Sequence, residues 1–162
     1  MLKNTNTLLV FILVFLMIAV FHLATNKDNL ISTTWICDQK KTGFIFDSFS
    51  KYNQVSEKMI LTFSSKDRFF INELIQVQGN DEDVKLMELY YDGDYLQKRD
   101  HLTLKFESVQ IQKKHDDINL NRAYKEYEGH SILYRYKNIN NRLYFYTDSE
   151  NESFDMVCYK NK

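Results

Sequence analysis

The chain has 162 residues, with 21 Lys and Arg against 22 Asp and Glu for a formal net charge of −1. That balance argues against nucleic-acid binding, which normally shows a basic patch or stripe. Four glycines are too few for a phosphate cradle, whereas 11 Tyr and 12 Phe with no proline favour strands.

Residues 1–6 read as a short cytoplasmic tail. Residues 8–21, LLVFILVFLMIAVF, contain no polar side chain. An apolar helix over 7–24 would reach roughly 27 Å at the usual rise, close to the ~30 Å hydrocarbon layer of a bilayer. A cleaved signal peptide needs small residues at its cleavage site, where HLA places the bulky His22, and no cysteine follows directly for a lipid anchor. The segment therefore reads as a retained single-pass transmembrane anchor. Lys3 and the terminal amine precede it, while Lys27 and Asp28 cancel after it, so the N-terminus is expected to stay cytoplasmic. A linker over 25–31 and a domain over 32–162 are then exported, placing a bacterial inner-membrane protein with its C-terminal domain in the periplasm. The exported part, about 137 residues, is enough for one core and too short for two ordinary domains.

Past the linker, apolar residues recur at every second position, the period of a half-buried strand. In STTWICDQ, Thr33, Trp35 and Cys37 share a face. TGFIFDSF (42–49) is a further strand candidate. KMILTFS puts Met59, Leu61 and Phe63 on one face. RFFINELIQV and VKLMELYYDGDYLQ follow; Phe69 and Phe70 compete for the interior in the former, and Met87, Leu89 and Tyr91 face inward in the latter. HLTLKFE has the cleanest alternation, with Leu104 and Phe106 inward after Leu102. SILYRYK directs Ile132, Tyr134 and Tyr136 to one side, NRLYFYT directs Leu143 and Phe145, and SFDMVCYK aligns Phe154, Met156 and Cys158. Turn-type segments SSKD, QGNDED, QKRD and KNINN separate these runs. Hairpins are expected around 98–100 and 138–141. Residues 112–131 are polar and weakly patterned. Ala123, Tyr124 and Tyr127 fit one face of a short helix there, and the segment reads as a flap near one barrel mouth.

Eight or nine short antiparallel strands are the signature of a sandwich or barrel. In an oxidising compartment two lone cysteines are expected to pair, and a Cys37–Cys158 disulfide makes the first and last strands neighbours. The expected fold is therefore an all-β, lipocalin-like antiparallel β-barrel of about eight strands behind one transmembrane helix. Such a barrel is either filled by its own side chains or holds one small ligand, and alternation alone does not separate the two cases. Its candidate ligand-binding lining is Trp35, Met59, Leu61, Phe63, Met87, Leu89, Tyr91, Leu104, Phe106, Tyr134, Tyr136, Phe145 and Met156. Buried phenols need hydrogen-bond partners, which a polar ligand or water can supply.

Candidate chemistry is sparse. No two histidines stand at i, i+4 on a helix, and neither HExxH nor CxxC occurs, so zinc has no sequence support. HDD (115–117), DGD (92–94) and QGNDED do not match a calcium loop and read as solvated turns. No nucleophile elbow, phosphate loop or dinucleotide fingerprint is present. The expectation is a non-enzyme without cofactor or metal.

A short tail, one anchor, the TTW-C first strand and a small β domain carrying DGDYLQKRDHLTLKF resemble the ToxS/VtrC group. These are small membrane-anchored partners of ToxR-type transcription regulators. The likeness spans the whole chain and rests on architecture rather than a short motif. It implies a protein without a DNA-binding part that joins the periplasmic domain of a ToxR-like, VtrA-type single-pass transmembrane transcription regulator. The heterodimer would complete a lipocalin-like barrel through an open edge, bind bile salts and induce virulence genes, including type III secretion. A bile salt, with one apolar face and an anionic tail, suits an aromatic-lined chamber. Two rival expectations are a stand-alone anchored binder of hydrophobic ligands and a stabilising chaperone of the regulator that binds no ligand.

Overall fold

A computed structural model describes residues 9–18, 20, 29–42, 51–79, 84–146 and 155–161. The chain divides into two compact units, Met1–Leu30 and Ile31–Lys162. In the first, residues 9–18 form helix α1, whose side chains are all exposed. At the usual rise it is about 15 Å long. Among the described residues no helix is long and apolar enough to cross a membrane. Within the 7–24 anchor segment residues 9–18 and 20 are helical, and positions 7, 8, 19 and 21–24 lie outside the described residues.

The second unit is an all-β barrel. Its strands are β1 (Thr33–Thr42), β2 (Tyr52–Phe63), β3 (Arg68–Gly79), β4 (Val84–Lys98), β5 (His101–Lys113), β6 (Ser131–Ile139), β7 (Arg142–Tyr146) and β8 (Asp155–Lys160). Each pairs antiparallel with the next, and β1 pairs with β8 to close the circle. Closure removes the free edges on which sheets aggregate. A partner is therefore not needed to complete the barrel, contrary to the open edge that the family likeness implied. The strand candidate at 42–49 contributes Thr42 to β1, and its other positions lie outside the described residues.

Alternation sorts the faces as expected. Trp35, Leu61, Phe63, Phe69, Leu104, Tyr136, Leu143 and Phe145 are buried. Phe69 takes the interior, while Phe70 stacks outside on Tyr90. The buried indole N–H of Trp35 donates to Thr33 Oγ1 at 2.8 Å, on the same strand face. The hairpin at Asn140 and Asn141 uses two consecutive positive φ angles, 52° and 60°. Asparagine tolerates these better than most residues, and they suit the tight twist of a two-residue loop.

DGD is not a turn. Asp92, Gly93 and Asp94 lie within β4, where the pairing with β5 shifts register between Asp92 and Gly93. A bulge needs close backbone approach, and a Cβ on Gly93 would strike the carbonyl oxygen of Lys105.

Among the described residues, β1 to β5 run 10 to 15 residues and β7 and β8 have 5 and 6. β5 pairs with β6 only from His101 to Lys105. Above that level the β5–β6 connection takes over. It contains helix α2 (Ile118–Lys125), with Leu120 and Tyr124 as its buried residues; of the three residues expected on one face of a short helix, Ala123 and Tyr124 lie in it and Tyr127 lies just beyond its end. Side chains of this connection replace the missing strand partner: Glu128 accepts from Val109 N–H at 2.9 Å and Lys125 donates to Val109 C=O at 2.7 Å. Gly129 N–H and Phe106 C=O, then Phe106 N–H and His130 C=O, complete the junction.

Candidate interior site

The connection between β5 and β6 reaches across the mouth to β2. Asp117 caps α2 by accepting from Asn119 N–H at 3.0 Å. The same carboxylate accepts from Tyr52 at 2.7 Å and pairs with Lys51 at 2.7 Å. Although burial pulls its pKa upward, the bonds from Lys51 and Tyr52 hold it down to about 2. His115, one of the residues read as a solvated turn, is buried instead. Its Nδ1 accepts from Asp117 N–H at 2.9 Å, and its ring meets Tyr52 edge-on. Deeper in, Tyr124 of α2 donates to Glu57 of β2 at 2.8 Å.

Beneath this strap lies a cavity of about 120 Å³. Seven residues of the expected lining border it: Met59, Leu61, Tyr91, Leu104, Phe106, Tyr134 and Met156. The other six do not. Trp35, Phe63, Tyr136 and Phe145 are buried away from it and fill the barrel as core. Met87 and Leu89 are buried near the start of β4. The barrel is thus filled along most of its length and hollow in one layer. A wider depression of about 340 Å³ is lined mainly by charged and polar side chains of β1 to β3 and has no comparable apolar wall.

Strand alternation did not single out the polar residues of the hollow layer. Lys41, Glu57, Glu73, Tyr124 and Tyr127 all line the cavity. Register explains how they meet. Lys41 pairs with Val55, two positions from Glu57. Glu57 pairs with Ile75, two from Glu73. Glu73 pairs with Leu89, two from Tyr91. The same two-residue step on successive tilted strands brings the four residues to one level of the barrel.

Lys41 Nζ pairs with Glu57 at 2.8 Å. Burial works against its charge, but the neighbouring Glu57 outweighs this and raises its pKa. Glu73 accepts from the Tyr91 hydroxyl at 2.6 Å. Burial, reinforced by Glu57, pushes the Glu73 carboxyl up to about 8, so it is neutral at pH 7. Burial and then Glu73 raise the Tyr91 phenol, and burial foremost raises Tyr124 and Tyr134. The layer therefore presents one ion pair, one protonated carboxyl and several phenols.

Cys37 and Cys158 are joined by a disulfide, and Cys37 borders the same cavity. Among the described residues no group of three His, Cys, Asp or Glu side chains is placed to hold a metal ion. Compared with known proteins, the chain matches no family model and no curated protein.

Proposed function

We propose that this chain is the periplasmic subunit of a membrane-bound signal-sensing complex, pairing with a ToxR-like transcription regulator. In this reading its barrel helps bind bile salts to induce virulence genes such as those for type III secretion. The chain sits in the bacterial inner membrane with its N-terminus cytoplasmic. The observation that carries the reading is a disulfide-closed barrel whose hollow layer combines aromatic and thioether walls with buried hydrogen-bonding groups. Small-molecule sites have that make-up. Pairing of two lone cysteines accords with an oxidising compartment. An apolar helix exposed on all sides favours lipid as its surroundings.

The hollow is smaller than the ~300 Å³ at which drug-sized pockets begin, so a whole bile salt requires the mouth to open. Two places allow it. One is the strap over 114–130. The other is the β1–β8 seam, which among the described residues pairs from Trp35 to Cys37 on the β1 side and would have to part for a partner strand to add there. Ligand then stabilises whichever assembled state it prefers.

The test is to co-express the full chain with the single-pass winged-helix regulator expected beside it and titrate taurodeoxycholate by calorimetry. A co-purifying pair with saturable heat is the expected result. No complex with any such regulator would sink the proposal. A second reading, a stand-alone anchored binder of hydrophobic ligands, gains from the barrel closing without a partner; saturable binding by the chain alone, unchanged by the regulator, would decide for it.

A further inference from the structure

Aromatic walls alone do not call for the polar layer inside the barrel. Buried ionisable groups cost several kcal/mol each in desolvation, and apolar replacements are often neutral or stabilising. Yet Glu57 and Glu73 are 4% and 7% exposed. Glu57 is fully engaged, with Tyr124 on one oxygen and Lys41 on the other. Glu73 is not: Tyr91 occupies Oε2, and no described residue bonds Oε1. No fully buried side-chain polar atom lacks a partner among the described residues, so Oε1 keeps some exposure, and Glu73 lines the cavity. The same reasoning applies to the Tyr134 hydroxyl, whose ring packs edge-on against Phe145 and which also lines the cavity. Lys41, the one cation among the described lining residues, is already held by Glu57.

We propose that this hollow receives the uncharged, hydroxyl-bearing end of an amphiphile, hydrogen-bonded by Glu73 and Tyr134, while any anionic end of the ligand stays outside at the mouth. The inference rests on the ligand-binding reading above and adds the chemistry and direction of binding. Size bears on this: the hollow, about 120 Å³, is somewhat below the roughly 150 Å³ of a cavity known to hold one benzene ring, so it takes at most one end of a ligand. Charge agrees as well. An anion pushed to this depth would find Lys41 already paired with Glu57 and no other cation among the described lining residues, and an unpaired buried carboxylate is strongly disfavoured. A protonated Glu73 can both donate to and accept from a ligand hydroxyl, and Tyr134 can do the same.

The test uses the full chain in lipid nanodiscs at pH 7, with empty nanodiscs as control and three probes. Deoxycholate carries hydroxyls and a carboxylate; 5β-cholanic acid keeps the carboxylate without hydroxyls; deoxycholate methyl ester keeps the hydroxyls without the charge. Deoxycholate and its ester should bind alike, and cholanic acid roughly tenfold or more weaker, for the loss of one to two hydrogen bonds. Tyr134→Phe should cut the deoxycholate preference several-fold. Glu73→Leu should abolish it, and Glu73→Gln, which keeps a donor and an acceptor, should retain it. Equal binding of cholanic acid and deoxycholate, or loss of binding on esterification, overturns this inference and leaves the ligand-binding reading standing. Absence of binding by all three probes, with the regulator present or absent, overturns that reading as well.

Discussion

Cys37 and Cys158 stand directly opposite each other on β1 and β8, bonded, with their Cα atoms 4.1 Å apart. Among the described residues they are the last of three β1–β8 rungs, and at the other end Asn161 N–H donates to Thr34 C=O at 2.8 Å. The covalent link ties the first strand to the last, between residues 121 positions apart.

The double substitution Cys37→Ala, Cys158→Ala should lower stability by about 4 to 5 kcal/mol on the chain-entropy model for so long a loop. Urea unfolding monitored by Trp35 fluorescence measures this. Hydrogen exchange should also speed up first in β1 and β8. A loss below about 1 kcal/mol would mean that the three backbone rungs hold the seam unaided.

Glu73 makes stability depend on pH in a direction opposite to an ordinary ion-paired carboxylate. Its pKa is raised on folding, to about 8, so the folded state holds its proton more tightly than the unfolded chain. The contribution is fully present below the unfolded value near 4.3 and is lost as pH rises through about 8. The groups facing it are Lys41 from β1, Glu57 from β2, Tyr91 from β4, Tyr124 and Tyr127 from the strap, and Tyr134 from β6. Glu73→Gln preserves the acceptor for Tyr91 and removes the titration. The variant should overtake the parent in stability by on the order of a few kcal/mol above pH 8, with the curves converging toward pH 5. Parallel curves across that range would contradict the assignment.

Asp117 joins the helix cap to the latch on β2 through Asn119, Tyr52 and Lys51. Asp117→Ala should cost roughly 1 to 2 kcal/mol, as loss of an N-cap does. Because the same change releases the strap, exchange over 114–130 should accelerate more than in β2 to β4. Uniform acceleration would show that the latch has no local role.

Gly93 sits where β4 shifts register against the backbone of β5. Gly93→Ala must displace Lys105 or remake the bulge, and overpacking of this kind costs typically 1 to 3 kcal/mol. Thermal unfolding reads the loss. An unchanged melting temperature would show that the bulge yields freely.

Much of the barrel was legible in one dimension. Period-two runs such as HLTLKFE and KMILTFS assigned Leu104, Phe106, Met59 and Leu61 to the interior, where the structure places them as buried or half-buried lining. The two cysteines on inward faces identified which strands meet. Glu57 and Glu73 were not legible, because a carboxylate between apolar neighbours reads as one side of a solvated strand. DGD misled for a related reason: glycine between two aspartates is ordinary turn chemistry, and only the approach of Lys105 shows why a strand would carry it.

The sequence by itself determined the strands, their inward faces and the disulfide, since alternation and cysteine pairing are properties that a single strand or pair of positions carries. Only the tertiary structure decided that the barrel closes unaided, that most of it is filled, and that one layer is hollow and polar. Those features depend on strand register, which brings residues from four strands to one level, and on the β5–β6 connection, whose helix α2 packs against them.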